Sequence, residues 1–100
     1  PVYPAYIKTK QQHYDPKLLT TLLRTFPTFP DARPYLTQCQ IPTLLISGSN
    51  DNTYTEIAKQ SAAQLQQGQH ITIENVAHAC HLEAPKSVAK HIIAFINELP

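Results

Sequence analysis

One hundred residues, 42% of them hydrophobic, 15% charged and carrying a formal net charge of +1, suffice for one small domain, although a chain this short buries only roughly 60 to 70% of its unfolded surface. The near-neutral balance leaves no basic face of the kind that nucleic acid or an anionic membrane requires, which points to small soluble molecules as ligands. No apolar run approaches the roughly 20 residues that cross a bilayer, and the start Pro1-Val-Tyr-Pro lacks a charged-then-apolar leader pattern. Cys39 and Cys80 have neither the number nor the spacing of a disulfide framework or a Cys-x-x-Cys zinc site. Free thiols and a cytoplasmic location are the expectation.

Positions 1–14 are polar and irregular, with several tyrosines and Lys8 and Lys10, and read as a loop or short helix. Asp15-Pro16 then supplies an N-cap followed by proline at the first helical position. Leu18, Leu19, Leu22, Leu23 and Phe26 recur at helical spacing until Pro27 ends the run. Pro27, Pro30, Pro34 and Pro42 punctuate the next stretch, which marks a boundary between residues 1–30 and residues 31–100.

Beyond it, Asp31 to Gln38 can form a short helix, and Thr43 to Ser47 is a compact apolar strand stopped by Gly48-Ser-Asn. Thr53-x-x-Glu56 has the form of a capping box, Ile57, Ala58, Ser61, Ala62 and Leu65 make one helical face, and Gly68 suits a left-handed stop. His70 to Ile73 reads as a second strand. Pro85 opens a last helix whose Val88, Ala89, Ile92, Ile93, Ile96 and Leu99 are expected to face the core. Helix, strand, helix, strand, helix is the pattern of an α/β parallel sheet with crossover helices.

In such a sheet ligands gather beyond the carboxyl ends of the strands. Asp51 follows the first strand and His78 the second, close enough for a carboxylate to meet an imidazole when neighbouring strands lie about 4.8 Å apart. An aspartate on one ring nitrogen fixes the tautomer, so His78 would be a base and Asp51 its orienter. Asp51 within Ser-Asn-Asp-Asn-Thr equally suits a turn in which the carboxylate bonds its own backbone. Cys80 and His81 beside His78 raise a metal reading, which is disfavoured because three ligands within four residues of a turn cannot easily converge. No metal is expected. His81 reads instead as packing or support for His78, Glu83 as the acid that helps start the last helix, and His13, His70 and His91 as surface or edge residues. Lys8, Lys10, Arg24 and Arg33 are solvated, or hold substrate carboxylates if they face the strand ends.

Pro42-Thr-Leu-Leu-Ile-Ser-Gly-Ser-Asn-Asp51 with Ala77-His78-Ala-Cys-His81-Leu-Glu83-Ala-Pro85 resembles the end of the α/β-hydrolase superfamily, where the acid follows the penultimate strand and the histidine the last. Asp51-x-x-Tyr54-x-x-Ile57-Ala58, His78-x-x-His81-Leu-Glu83, and Asp15-Pro16-Lys17 leading to Leu23-Arg24 resemble, within it, the 2-succinyl-6-hydroxy-2,4-cyclohexadiene-1-carboxylate synthases, pyruvate-eliminating enzymes of menaquinone biosynthesis. The resemblance implies a Ser-His-Asp set that includes Asp51 and His78, no cofactor, and a substrate rich in carboxylates. It also implies that residues 1–30 are the end of a helical cap, with Lys8, Lys10 and Arg24 as substrate-binding candidates. Relatives place an arginine where this sequence holds Lys8 and Lys10, and a glycine-containing segment where it holds Thr25-Phe-Pro-Thr-Phe-Pro30.

A nucleophile on a Gly-x-Ser-x-Gly turn is absent from these residues. The expectation is therefore the C-terminal part of a larger lyase, inactive alone and associating with the missing N-terminal half or with itself. A serine esterase of the same fold is one alternative, and a non-catalytic ligand-binding or interaction protein is the other.

Overall fold

The computed structural model describes residues 2–100, and the side chains of all of these except Val2, Tyr3 and Ile7. The chain divides into two compact units, Pro1–Asp31 and Ala32–Pro100.

In the first unit, α1 spans Val2–Gln12 and α2 spans Pro16–Thr25, followed by a 3-10 turn at Phe26–Thr28. The loop or short helix expected at positions 1–14 is, from Val2 onward, a helix of 11 residues. Ala5, Lys8, Lys10, Gln11 and Gln12 are good helix formers, and that propensity outweighs the irregular polarity of the segment. Asp15 caps α2 as its sequence suggests, its carboxylate accepting from the Lys17 N–H at 2.9 Å, with Pro16 in the first turn. No residue of α2 is buried, and Leu18, Leu19, Leu22 and Leu23 stay exposed.

The second unit is built around two parallel strands, β1 (Thr43–Gly48) and β2 (Gly68–Ile73), paired from Thr43↔Gly68 to Gly48↔Ile73. A 3-10 segment at Arg33–Gln38 precedes β1, helix α3 (Asn52–Gln64) connects the strands, and α4 (Cys80–Glu83) and α5 (Pro85–Asn97) follow. The Gln66 and Gln67 side-chain amides donate to the Thr37 and Gln40 carbonyls, at 2.9 and 2.8 Å, and so hold the approach to β1 beside the start of β2.

Strand residues alternate between faces, and the two faces differ. On one, Ile73 joins Val76, Cys80 and Val88 in a buried cluster with Ile46, Ile71 and Ala84 packed against it, which places α5 there. On the other, the Thr55 hydroxyl of α3 donates to Ser47 Oγ at 2.9 Å, and Ala58 is buried.

Three local expectations are corrected. The Thr53–Glu56 capping box does not form, because α3 begins two residues earlier than that box requires, at Asn52 with Asp51 at its N-cap, and Glu56 instead accepts from Gln60 at 3.2 Å. Gly68 has no positive φ; α3 ends at Gln64 in an extended Leu65. What requires glycine at 68 is space, since a Cβ there would lie 2.4 Å from the Ala62 carbonyl oxygen and 2.9 Å from the Leu65 Cβ. Finally, of the apolar face of the last helix only Val88 is buried, while Ile92, Ile93, Ile96 and Leu99 remain 41 to 59% exposed. A helix of 13 residues is about 20 Å long, and two paired strands are too narrow to cover its whole stripe. Among the described residues no helix is long and apolar enough to cross a membrane.

Candidate active site

Both strands deliver their carboxyl ends to the same edge, and the two loops that leave them are stitched by backbone. Ser49 N–H donates to the Ile73 carbonyl at 2.8 Å and Asn50 N–H to the Val76 carbonyl at 2.9 Å. Ser49 Oγ accepts from Asn75 N–H at 2.8 Å, and Asn75 turns the second loop with φ of 63°, a left-handed conformation that asparagine tolerates. The loops approach so closely that a Cβ on Gly48 would lie 2.3 Å from the carbonyl oxygens of both Val76 and Ala77. Glycine here permits the contact rather than a special turn.

That stitching brings the two sequence candidates together. His78 Nδ1 lies 2.8 Å from Asp51 Oδ2. Asp51 stands at the N-cap of α3, where an aspartate ordinarily accepts from a first-turn N–H, yet its side chain makes no cap bond. The carboxylate is committed to the imidazole, so the turn-forming alternative for Asp51 is not the one realised. With Nδ1–H donating to the carboxylate, Nε2 is left as the acceptor. No described residue occupies it, and the His78 side chain is 76% exposed against 16% for Asp51. The Tyr54 ring, one turn into α3, sits 5.0 Å from the imidazole at 56° and restricts its rotation.

Glu83 takes a role that sequence reading missed. Its carboxylate accepts from the Ala77 N–H at 2.9 Å, bracing the backbone immediately before His78; it makes no cap bond to α5. His81 is exposed, and among the described residues it makes no side-chain hydrogen bond to His78. His70 is not a bare edge residue: its Nε2 meets Ser47 Oγ at 2.8 Å. Cys80 is in the core cluster, and no three His, Cys, Asp or Glu side chains among the described residues converge as metal ligands would. Both cysteines are free.

A pocket of about 320 Å³ opens beside the pair, lined by Leu45, Ser47, Tyr54, Ile57 and Ser61 together with Asp51 and His78. Lys8 and Lys10 on α1, the latter over the Tyr6 ring at 5.7 Å, and Arg24 on α2 are exposed residues of the first unit. The signals for the missed residues were faint but present: one of only two glycines directly after a strand, and an acid five residues beyond the histidine.

Parallel strands joined by a helix, with an acid after the first and a histidine after the second, are the C-terminal part of an α/β-hydrolase fold. The comparison is with MenH from S. aureus: a TM-score of 0.69 and 27% sequence identity, covering 70% of this chain and 26% of that one. Protein ABHD14A of Rattus norvegicus is 30% identical over 59 residues, 59% of this chain and 24% of that protein. The resemblance to the α/β-hydrolase superfamily therefore holds, and the chain spans about a quarter of the length of each of these proteins. No family model matches the chain.

Proposed function

We propose that these residues supply the acid–base half of an α/β-hydrolase-fold enzyme. The observation that carries the reading is the 2.8 Å contact between His78 Nδ1 and Asp51 Oδ2 at the ends of adjacent parallel strands. In this reading a serine outside these residues, hydrogen-bonded to His78 Nε2, completes the set. His78 takes the proton, and the Asp51 carboxylate stabilises the imidazolium that results. No metal or organic cofactor takes part.

Within that class we favour the carbon–oxygen lyase of menaquinone biosynthesis, which removes a proton from a succinyl-cyclohexene dicarboxylate and releases pyruvate. Support comes from the sequence resemblance at Tyr54, His81-Leu-Glu83 and Asp15-Pro16, and from the likeness to MenH. Residues 1–30 then form the end of a cap, and Lys8, Lys10 and Arg24 bind substrate carboxylates through charge-assisted hydrogen bonds. The 100 residues alone are expected to be inactive, since they contain no Gly-x-Ser-x-Gly turn to carry a nucleophile, and to associate with the remainder of the protein in the cytoplasm.

The test is pyruvate release by the natural protein that contains this chain. His78→Ala is expected to lower kcat by about 10²- to 10⁴-fold, the usual contribution of a positioned general base. Undiminished release in that variant removes His78 from the mechanism. Ready turnover of aryl esters without pyruvate release assigns the same pair to a serine esterase, and specific ligand binding without turnover of either assigns the fold to a binding protein.

A further inference from the structure

Ser47 is the one buried polar side chain among the described residues, 7% exposed, and it lines the same pocket as Asp51. We propose that His70 is a positioning residue for the Asp51–His78 pair, acting through Ser47 and Thr55; the inference rests on the reading of that pair as the acid–base half of a catalytic set.

Asp51 makes no side-chain bond to the first turn of α3. Its carboxylate is given to His78, so the start of α3 must be held by other groups. Those groups converge on Gly48 and Thr55. The Gly48 carbonyl accepts from the Asp51 N–H at 2.9 Å and from the Thr55 hydroxyl at 2.8 Å, while the Asp51 carbonyl accepts from the Thr55 N–H at 2.9 Å. Thr55 thus holds the turn that aims the carboxylate.

The hydroxyl of Thr55 has a single proton, shared between the Gly48 carbonyl and Ser47 Oγ, which lies 2.9 Å away. Ser47 Oγ in turn lies 2.8 Å from His70 Nε2, so the imidazole ends a hydrogen-bonded chain that runs through Ser47 and Thr55 to the Asp51 turn. The ladder places His70 one diagonal step from Ser47 on the same face of the sheet, since Leu45 pairs with His70 and Ser47 with Thr72. Without a polar partner at position 70, the buried Ser47 hydroxyl keeps only Thr55 and must reorient, which redistributes the bonds that Thr55 makes to the Asp51 turn.

The test compares His70→Leu, His70→Gln and Thr55→Val in the natural protein. Two readouts are used: solvent exchange of the His78 Nδ1 proton followed by NMR, and the division of any loss between kcat and KM. His70→Leu and Thr55→Val should each speed that exchange and lower kcat by about 10-fold with KM held, as expected when a catalytic group is displaced by less than an ångström. His70→Gln should restore both, because its side-chain amide can donate or accept at the place of Nε2. If His70→Leu does not fold, Thr55→Val carries the comparison. Unchanged Nδ1 exchange in a folded Leu or Val variant, or a Gln variant as impaired as Leu, overturns the proposal. Absence of turnover in every form, wild type included, counts against the proposed function, whereas the exchange rates still decide the role of His70.

Discussion

The two faces of the small sheet are held by different physics. Beneath α5, Ile73, Val76, Cys80 and Val88 exclude water and contribute through area, a force with no preferred direction. Beneath α3, Ser47, His70 and Thr55 contribute little net energy per bond but fix orientation, and it is on this face that the pocket beside Asp51 and His78 opens. The apolar face keeps the strands together, and the polar face decides where the carboxylate points.

Substitutions can separate these roles. Gly48→Ala should be the most damaging, since it strikes both: a Cβ 2.3 Å from two carbonyl oxygens must push whole loops apart. We expect a loss of about 3 to 4 kcal/mol in urea unfolding, and with it the low-field NMR signal of the His78 Nδ1 proton. Ile73→Ala, 5% exposed in the native chain, should cost about 3 kcal/mol through lost burial and the cavity left behind, while the Nδ1 signal persists in the folded fraction. Ser47→Ala should cost only about 1 kcal/mol, read from the same unfolding curves, yet weaken the Nδ1 signal more than Ile73→Ala does. If Ile73→Ala proves the more harmful to that signal, the division of labour between the faces is wrong.

Much of this could be read from the sequence, and what could not has a physical cause. The strands and the two loop residues were legible because a short apolar run ending in Gly48-Ser-Asn and another ending before Glu74-Asn75 each mark a strand end, and strand ends are where such a fold places its chemistry. The start of α3 was misread because Thr53-x-x-Glu56 matches a local rule, whereas the acid that occupies the cap is claimed by a residue 27 positions away. Periodicity identified the apolar stripe of α5 but not its burial, since the pattern at Ile92, Ile93 and Ile96 says which side is apolar and nothing about how wide a sheet lies beneath it. Glu83 was assigned to a helix terminus by proximity, although its carboxylate reaches back to Ala77. The misses at Asp51 and Glu83 are contacts between loops that override a local preference.

The close passage of Gly48 over Val76 and Ala77 also bears on how the strands are aligned. The loops meet where β1 and β2 are paired in the register Thr43↔Gly68 with α3 crossing between them, and parallel pairing of this kind requires a long loop to close. A slip of one residue would move a strand end by about 3.3 Å and turn its side chains to the opposite face. The bond between Asp51 and His78 therefore depends on that register, and its presence reports that the strands have found their correct alignment.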